Sequence, residues 1–98
     1  DKGYAVVARL RLSALLIDEK SLDAAMAMLD GEQPAEFAGL VSDRKGDILT
    51  LQGKPLEAKA QYLKAYEALD ERSDYRRLVE IKLNALGGQV TKAAEGSK

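Results

Sequence analysis

The chain has 98 residues, 46% hydrophobic and 32% charged, with 15 basic against 16 acidic side chains and a net charge of -1. This is at most one domain of ordinary globular composition, and its balanced charge gives no electrostatic case for nucleic acid or an anionic membrane as partner. With no Cys and no His, a Cys/His zinc site, a thiol nucleophile and a histidine-based triad are excluded.

Five helices are expected from the apolar period. The first runs from about Gly3 to Glu19. Its apolar run, Tyr4 to Ile17, contains Arg9 and Arg11 and is too short to span a bilayer, so no membrane insertion by this segment is expected. Ser21 is placed as the N-cap of the second helix, which Gly31 and Pro34 end. A third covers about Ala35 to Gln52, with Gly53 making its terminal turn. Pro55 starts the fourth, where a missing N–H is harmless, and it reaches about Leu69. Ser73 caps the fifth, whose Tyr75, Leu78, Ile81, Leu83 and Leu86 are expected to cover the fourth helix, with Val79 adjoining; Arg76, Arg77, Glu80, Lys82 and Asn84 are expected to face mostly water. Residues 89–98 lack an apolar period and are expected to be a disordered tail.

Shifting the chain by 33 residues pairs Tyr4 with Phe37, Ala8 with Val41, Leu15 with Ile48, Ala25 with Ala58 and Leu29 with Tyr62. One register holding through two helices indicates a tandem repeat. It also explains Gly46, a residue that costs about 1 kcal/mol against alanine inside a helix. In a tetratricopeptide-like repeat the two helices of a unit approach closely at one very small residue, a second glycine makes the turn, and an alanine faces the contact. Gly46, Gly53 and Ala58 fit these roles, with Tyr62 and Ala65 as the large and small sites of the following helix. In the first unit Ser13 stands for Gly46, Lys20 for Gly53 and Ala25 for Ala58. The expected fold is all-α: antiparallel tetratricopeptide-like hairpins in a right-handed solenoid. Its units are about 3–34 and 36–70, with a capping helix at about 73–86, all within a domain of 1–88. An unrelated helical bundle with incidental glycines is the competing reading.

The strings RLRLSALLIDEKSLDAAMAMLD, VSDRKGDILTLQGKPLEAKAQY and EIKLNALGG, from about Gly3 to Gly88, resemble the C-terminal periplasmic region of the YfgM family. These are ancillary subunits of the bacterial SecYEG translocon. The resemblance implies a piece of a protein with one N-terminal membrane anchor outside this segment, on the periplasmic side of the inner membrane. It implies association with translocon subunits and with a membrane-anchored periplasmic chaperone of the parvulin-like isomerase type. The family offers no catalytic residue. The absence of an initial Met and of a signal segment likewise leads us to expect part of a longer protein.

No nucleophile–base pair, metal cluster or phosphate loop is legible, so neither an enzyme nor a cofactor is expected. Asp43 and Asp47, four apart on one helix face, are placed on a solvated inner face or against a partner rather than in acid–base chemistry. By the repeat register the inner positions are Val7, Leu10, Ala14 and Ile17 in the first unit, and Leu40, Asp43, Asp47 and Leu51 in the second. These are apolar and acidic. They suit extended apolar or basic segments better than a peptide carboxylate, which needs Lys, Arg and Asn. The first helix is apolar around nearly its whole circumference, as expected of a helix covered on all sides. Exposed, it is either a native groove or the scar of a lost neighbouring repeat. The expected consequence is a homodimer centred on Val7, Leu10, Ala14 and Ile17.

Overall fold

The computed structural model describes residues 2–87, and the expected tail, 89–98, lies outside them. Helix α1 (Lys2–Asp18) is followed by α2 (Leu22–Leu29), a short 3-10 turn (Ala35–Phe37), α3 (Ala38–Leu51), α4 (Pro55–Ala68) and α5 (Asp74–Ala85). Among the described residues there is no strand.

The turn that ends α1 recurs at the end of α3. Lys20 sits in the left-handed region, φ +63°, and Gly53 at φ +75°. The Lys20 N–H donates to Ile17 O at 2.9 Å and the Ser21 N–H to Leu16 O at 2.8 Å; 33 residues later Gly53 donates to Thr50 O at 3.1 Å and Lys54 to Leu49 O at 2.9 Å. Both are Schellman closures, in which two N–H groups past the helix satisfy two of its last carbonyls. Glycine enters that conformation without a Cβ penalty and lysine does not, so the first unit keeps the turn although its sequence departs from the second, while its second helix, at 8 residues against 14 in α4, is cut short before Gly31. Ser21 is engaged as part of this closure, and its side chain makes no cap hydrogen bond to α2, contrary to expectation. Ser73 does cap α5, its Oγ accepting from the Tyr75 N–H at 3.1 Å.

The interior has two clusters. Val6, Ala25, Leu29, Val41 and Ile48 pack the α1–α2 hairpin against α3. Leu49, Ala58, Tyr62, Ala65, Val79 and Leu83 join α3, α4 and α5. Met26 packs against both, so one core runs the length of the stack. At 33-residue spacing, Ala25 and Ala58 are both fully buried, and Leu29 and Tyr62 are buried to within 3%. Gly46 lies where a Cβ would come 2.5 Å from the Tyr62 ring. Its first-unit counterpart, Ser13, is fully buried and keeps its hydroxyl satisfied on the Leu10 carbonyl at 2.7 Å.

Helix α5 turns inward only part of the face expected: Leu83 is buried and Tyr75 and Leu86 pack against the core, but the helix is rotated away from Leu78 and Ile81. Val79 and Leu83 are buried, while Leu78 and Ile81 are 45% and 59% exposed. Two polar anchors set that rotation: Tyr75 and Lys82 reach carboxylates on α3.

Candidate protein-interaction groove

Ala14, Ile17 and Asp18 of α1, Asp47 and Leu51 of α3, and Tyr75 and Lys82 of α5 line a groove of about 500 Å³ along one side of the stack. The first, third and fifth helices supply it, α1 and α3 each being followed by the same left-handed turn, at Lys20 and at Gly53. Of the anticipated inner positions, Ala14, Ile17, Asp43, Asp47 and Leu51 come together here. Leu10 instead packs into the first core cluster, and Leu40 is half-buried and lines neither this groove nor the next. Val7 faces a second, larger groove, about 890 Å³, between the outer side of α1 and the segment around Phe37.

Asp43 corrects the sequence reading most sharply. It is 1% exposed rather than solvated. It accepts from the Tyr75 hydroxyl at 2.7 Å and from Lys82 Nζ at 3.2 Å. Asp47 accepts from the Tyr62 hydroxyl at 2.6 Å and pairs with the same Lys82 at 3.1 Å. Burying a carboxylate is tolerable only when it is paired and hydrogen-bonded, and α5 provides both. Lys82, expected to face water, is therefore the internal counter-ion of two aspartates. Burial, first, and then the hydrogen bonds to Asp47 and Asp43 push the Tyr62 and Tyr75 phenols well above their ordinary range. Both remain protonated donors at neutral pH.

This geometry presents no free reactive pair. The single ammonium bridges the two carboxylates and offsets one of their two charges inside the stack, and every buried side-chain polar atom among the described residues has a partner. What the groove offers a partner is the apolar surface of Ala14, Ile17 and Leu51, with Asp18 and the partly exposed edge of Asp47 at its rim.

Arg44 and Gly39 carried no role in the sequence reading, and Tyr75 and Lys82 carried only those of a packing and a water-facing residue. Arg44 Nη1 donates to Leu10 O at 2.9 Å and lies 3.4 Å from Ser13 Oγ, tying α3 to α1. Gly39 lets α3 approach Leu69, whose side chain would lie 2.8 Å from a Cβ there. Arg76, expected in water, lies 3.7 Å over the Tyr66 ring and donates to the Tyr66 carbonyl. Only Gly39 had a visible signal, a second glycine seven residues before Gly46 on the same helix.

Residues 1–88 match the family model described as tetratricopeptide repeat-like domain. The chain is also 39% identical over 86 residues to an ancillary SecYEG translocon subunit of Neisseria gonorrhoeae. That match covers 88% of this chain and 41% of the relative, so the chain spans about two fifths of that protein's length. No solved structure matches the chain.

Proposed function

The chain belongs to the tetratricopeptide repeat-like domain family, and from that premise we propose that it is a non-enzymatic protein-binding module. In this reading it belongs to the periplasmic part of an inner-membrane protein and docks chaperones or client chains at the Sec translocon. The likeness to an ancillary translocon subunit supports the setting. The single observation that carries the binding role is the groove along α1, α3 and α5, whose apolar floor and acidic rim suit an extended segment with apolar and basic side chains.

Isolation of the protein with its bound partners from detergent-solubilised inner membranes tests this reading. Translocon subunits or a membrane-anchored periplasmic chaperone, lost on Leu51→Glu, are the expected result. Recovery of copies of the chain alone would instead favour the second reading, a self-associating scaffold. One observation speaks for that alternative: Tyr4, Leu12 and Leu15 of α1 are 78%, 43% and 60% exposed. These residues with Val7 would extend the contact expected from the sequence, in which Leu10 takes less part because it packs against the first core cluster.

A further inference from the structure

The groove along α1, α3 and α5 carries an unequal set of charges. Its lining holds three carboxylates, Asp18, Asp43 and Asp47, against two cations, Arg44 and Lys82, which leaves a net charge of -1. Arg44 is turned to α1, where it donates to the Leu10 carbonyl and approaches Ser13 Oγ. Lys82 is shared between Asp43 and Asp47. Asp43, at 1% exposure, is out of reach of a bound molecule. Asp18 is exposed, and a charge pair made there is screened by water and contributes little. Asp47 is different. Its side chain is 31% exposed and shares the groove with Ile17 and Leu51, whose apolar surface excludes water and strengthens a charge pair. Its Oδ1 accepts from Tyr62 and pairs with Lys82, while Oδ2 accepts from Lys82 at 3.2 Å. A carboxylate offers about four acceptor sites, so Oδ2 keeps one for a donor from outside.

We infer that Asp47 is the specificity-determining residue of the groove, accepting a single Lys or Arg side chain of a bound polypeptide segment whose neighbouring apolar side chains lie over Leu51, Ile17 and Ala14. This rests on the groove being the binding surface and adds what selects its occupant. The charge balance sets the number of cations. One brings the lining to neutrality, a second finds only Asp18 at the solvated rim, and a carboxylate meets like charge. The spacing sets the pattern. Asp47 and Leu51 are one helical turn apart, about 6 Å along α3, and an extended segment covers about 6.6 Å in two residues. The basic side chain and its nearest apolar neighbour therefore stand two positions apart. Apolar burial supplies most of the affinity, and the pair with Asp47 supplies the discrimination.

Selection from random dodecapeptides displayed on phage, run against the purified protein and against Asp47→Asn, tests this. The Asn side chain keeps an acceptor for the Tyr62 hydroxyl. The protein should enrich peptides with one Lys or Arg two positions from a Leu, Ile, Val or Phe, and Asp47→Asn should enrich apolar peptides without a basic preference. A synthetic peptide from the first selection should lose about threefold to tenfold in affinity when norleucine replaces its basic residue. Asp47→Asn should bind both forms alike, and should bind the norleucine form as well as the unaltered protein does. Weaker binding of the norleucine form by the variant would make Asp47 a structural residue of the stack and overturn the inference. Apolar peptides with no basic preference on the unaltered protein overturn it too, while leaving the groove as the binding surface, and so does a basic preference that survives Asp47→Asn. Enrichment of no peptide, or of peptides whose binding survives Leu51→Glu, overturns both this inference and the groove reading beneath it.

Discussion

Gly46 and Gly39 occupy the same helix and meet different neighbours. A Cβ at Gly46 would come 2.5 to 2.9 Å from three atoms of the Tyr62 ring. That ring is only 3% exposed, and its hydroxyl is held by Asp47. A packed ring with a fixed tip cannot swing aside. Gly46→Ala should therefore lose about 1–2 kcal/mol in urea unfolding despite the helix-propensity gain of about 1 kcal/mol. Gly46→Leu should lose more. Gly39 meets the branched end of Leu69, which is only half-buried and has room to rotate, so Gly39→Ala should cost distinctly less. Equal losses at the two positions would contradict the assigned close approach. The two tyrosines give a second residue-scale prediction. Their phenols hold a proton in the folded protein above the unfolded value of about 10. Above that pH the unfolded chain binds fewer protons than the folded one, so stability falls as pH rises. The contribution is complete below about pH 10 and declines above it. Melting temperatures should fall between about pH 10 and 12, and the fall should be shallower in Tyr75→Phe. Parallel curves would remove Tyr75 from the explanation.

At the scale of elements, α5 shows what its packing depends on. Val79 is fully buried and Ile81 is 59% exposed. Val79→Ala should cost about 1.5–2.5 kcal/mol and Ile81→Ala less than about 0.5 kcal/mol, measured by urea unfolding. The reverse order would mean that the helix is rotated toward the face first expected from its sequence. The polar anchors are the other half of the contact. Removing the partner of a buried charge costs about 3–5 kcal/mol. Here the loss is smaller, because Lys82 is 27% exposed and Asp43 retains its bond from Tyr75. Lys82→Met should cost about 1–3 kcal/mol, and Asp43→Asn added to it should recover part of that loss. Fully additive losses would show that the two side chains do not act together. The helices, their turns and the glycine roles were legible because they follow from local periodicity and from the left-handed turn at Gly53. The rotation of α5 was not legible. Its apolar residues, Tyr75, Leu78, Val79, Ile81 and Leu83, spread over more than one face of the helix, and the choice between Val79 and Ile81 is made by Lys82 and Tyr75 finding carboxylates more than thirty residues away. For the same reason Asp43 read as a surface residue: on α3 alone it is one.

Across the whole molecule, the tetratricopeptide-like hairpin architecture expected from the 33-residue register agrees with the family match over residues 1–88. The candidate groove was only partly legible. The register placed Ala14, Ile17, Asp43, Asp47 and Leu51 together but could not show that α5 delivers a lysine that bridges the two aspartates from within and offsets one of their charges. The groove is consequently less acidic and more apolar than its sequence suggests, and its partner should be recognised mainly through apolar contact. Site-specific photocrosslinking in intact cells tests this claim most directly, with a benzophenone side chain at Leu51 in the groove or at Leu56 on α4. Leu51 and Leu56 are 59% and 77% exposed, so access alone does not favour the groove position. The account predicts discrete crosslinks from position 51 to translocon subunits or a periplasmic chaperone, and none of these from position 56. Equal crosslinking from both positions, or from position 56 alone, would contradict the assignment of the groove as the binding surface.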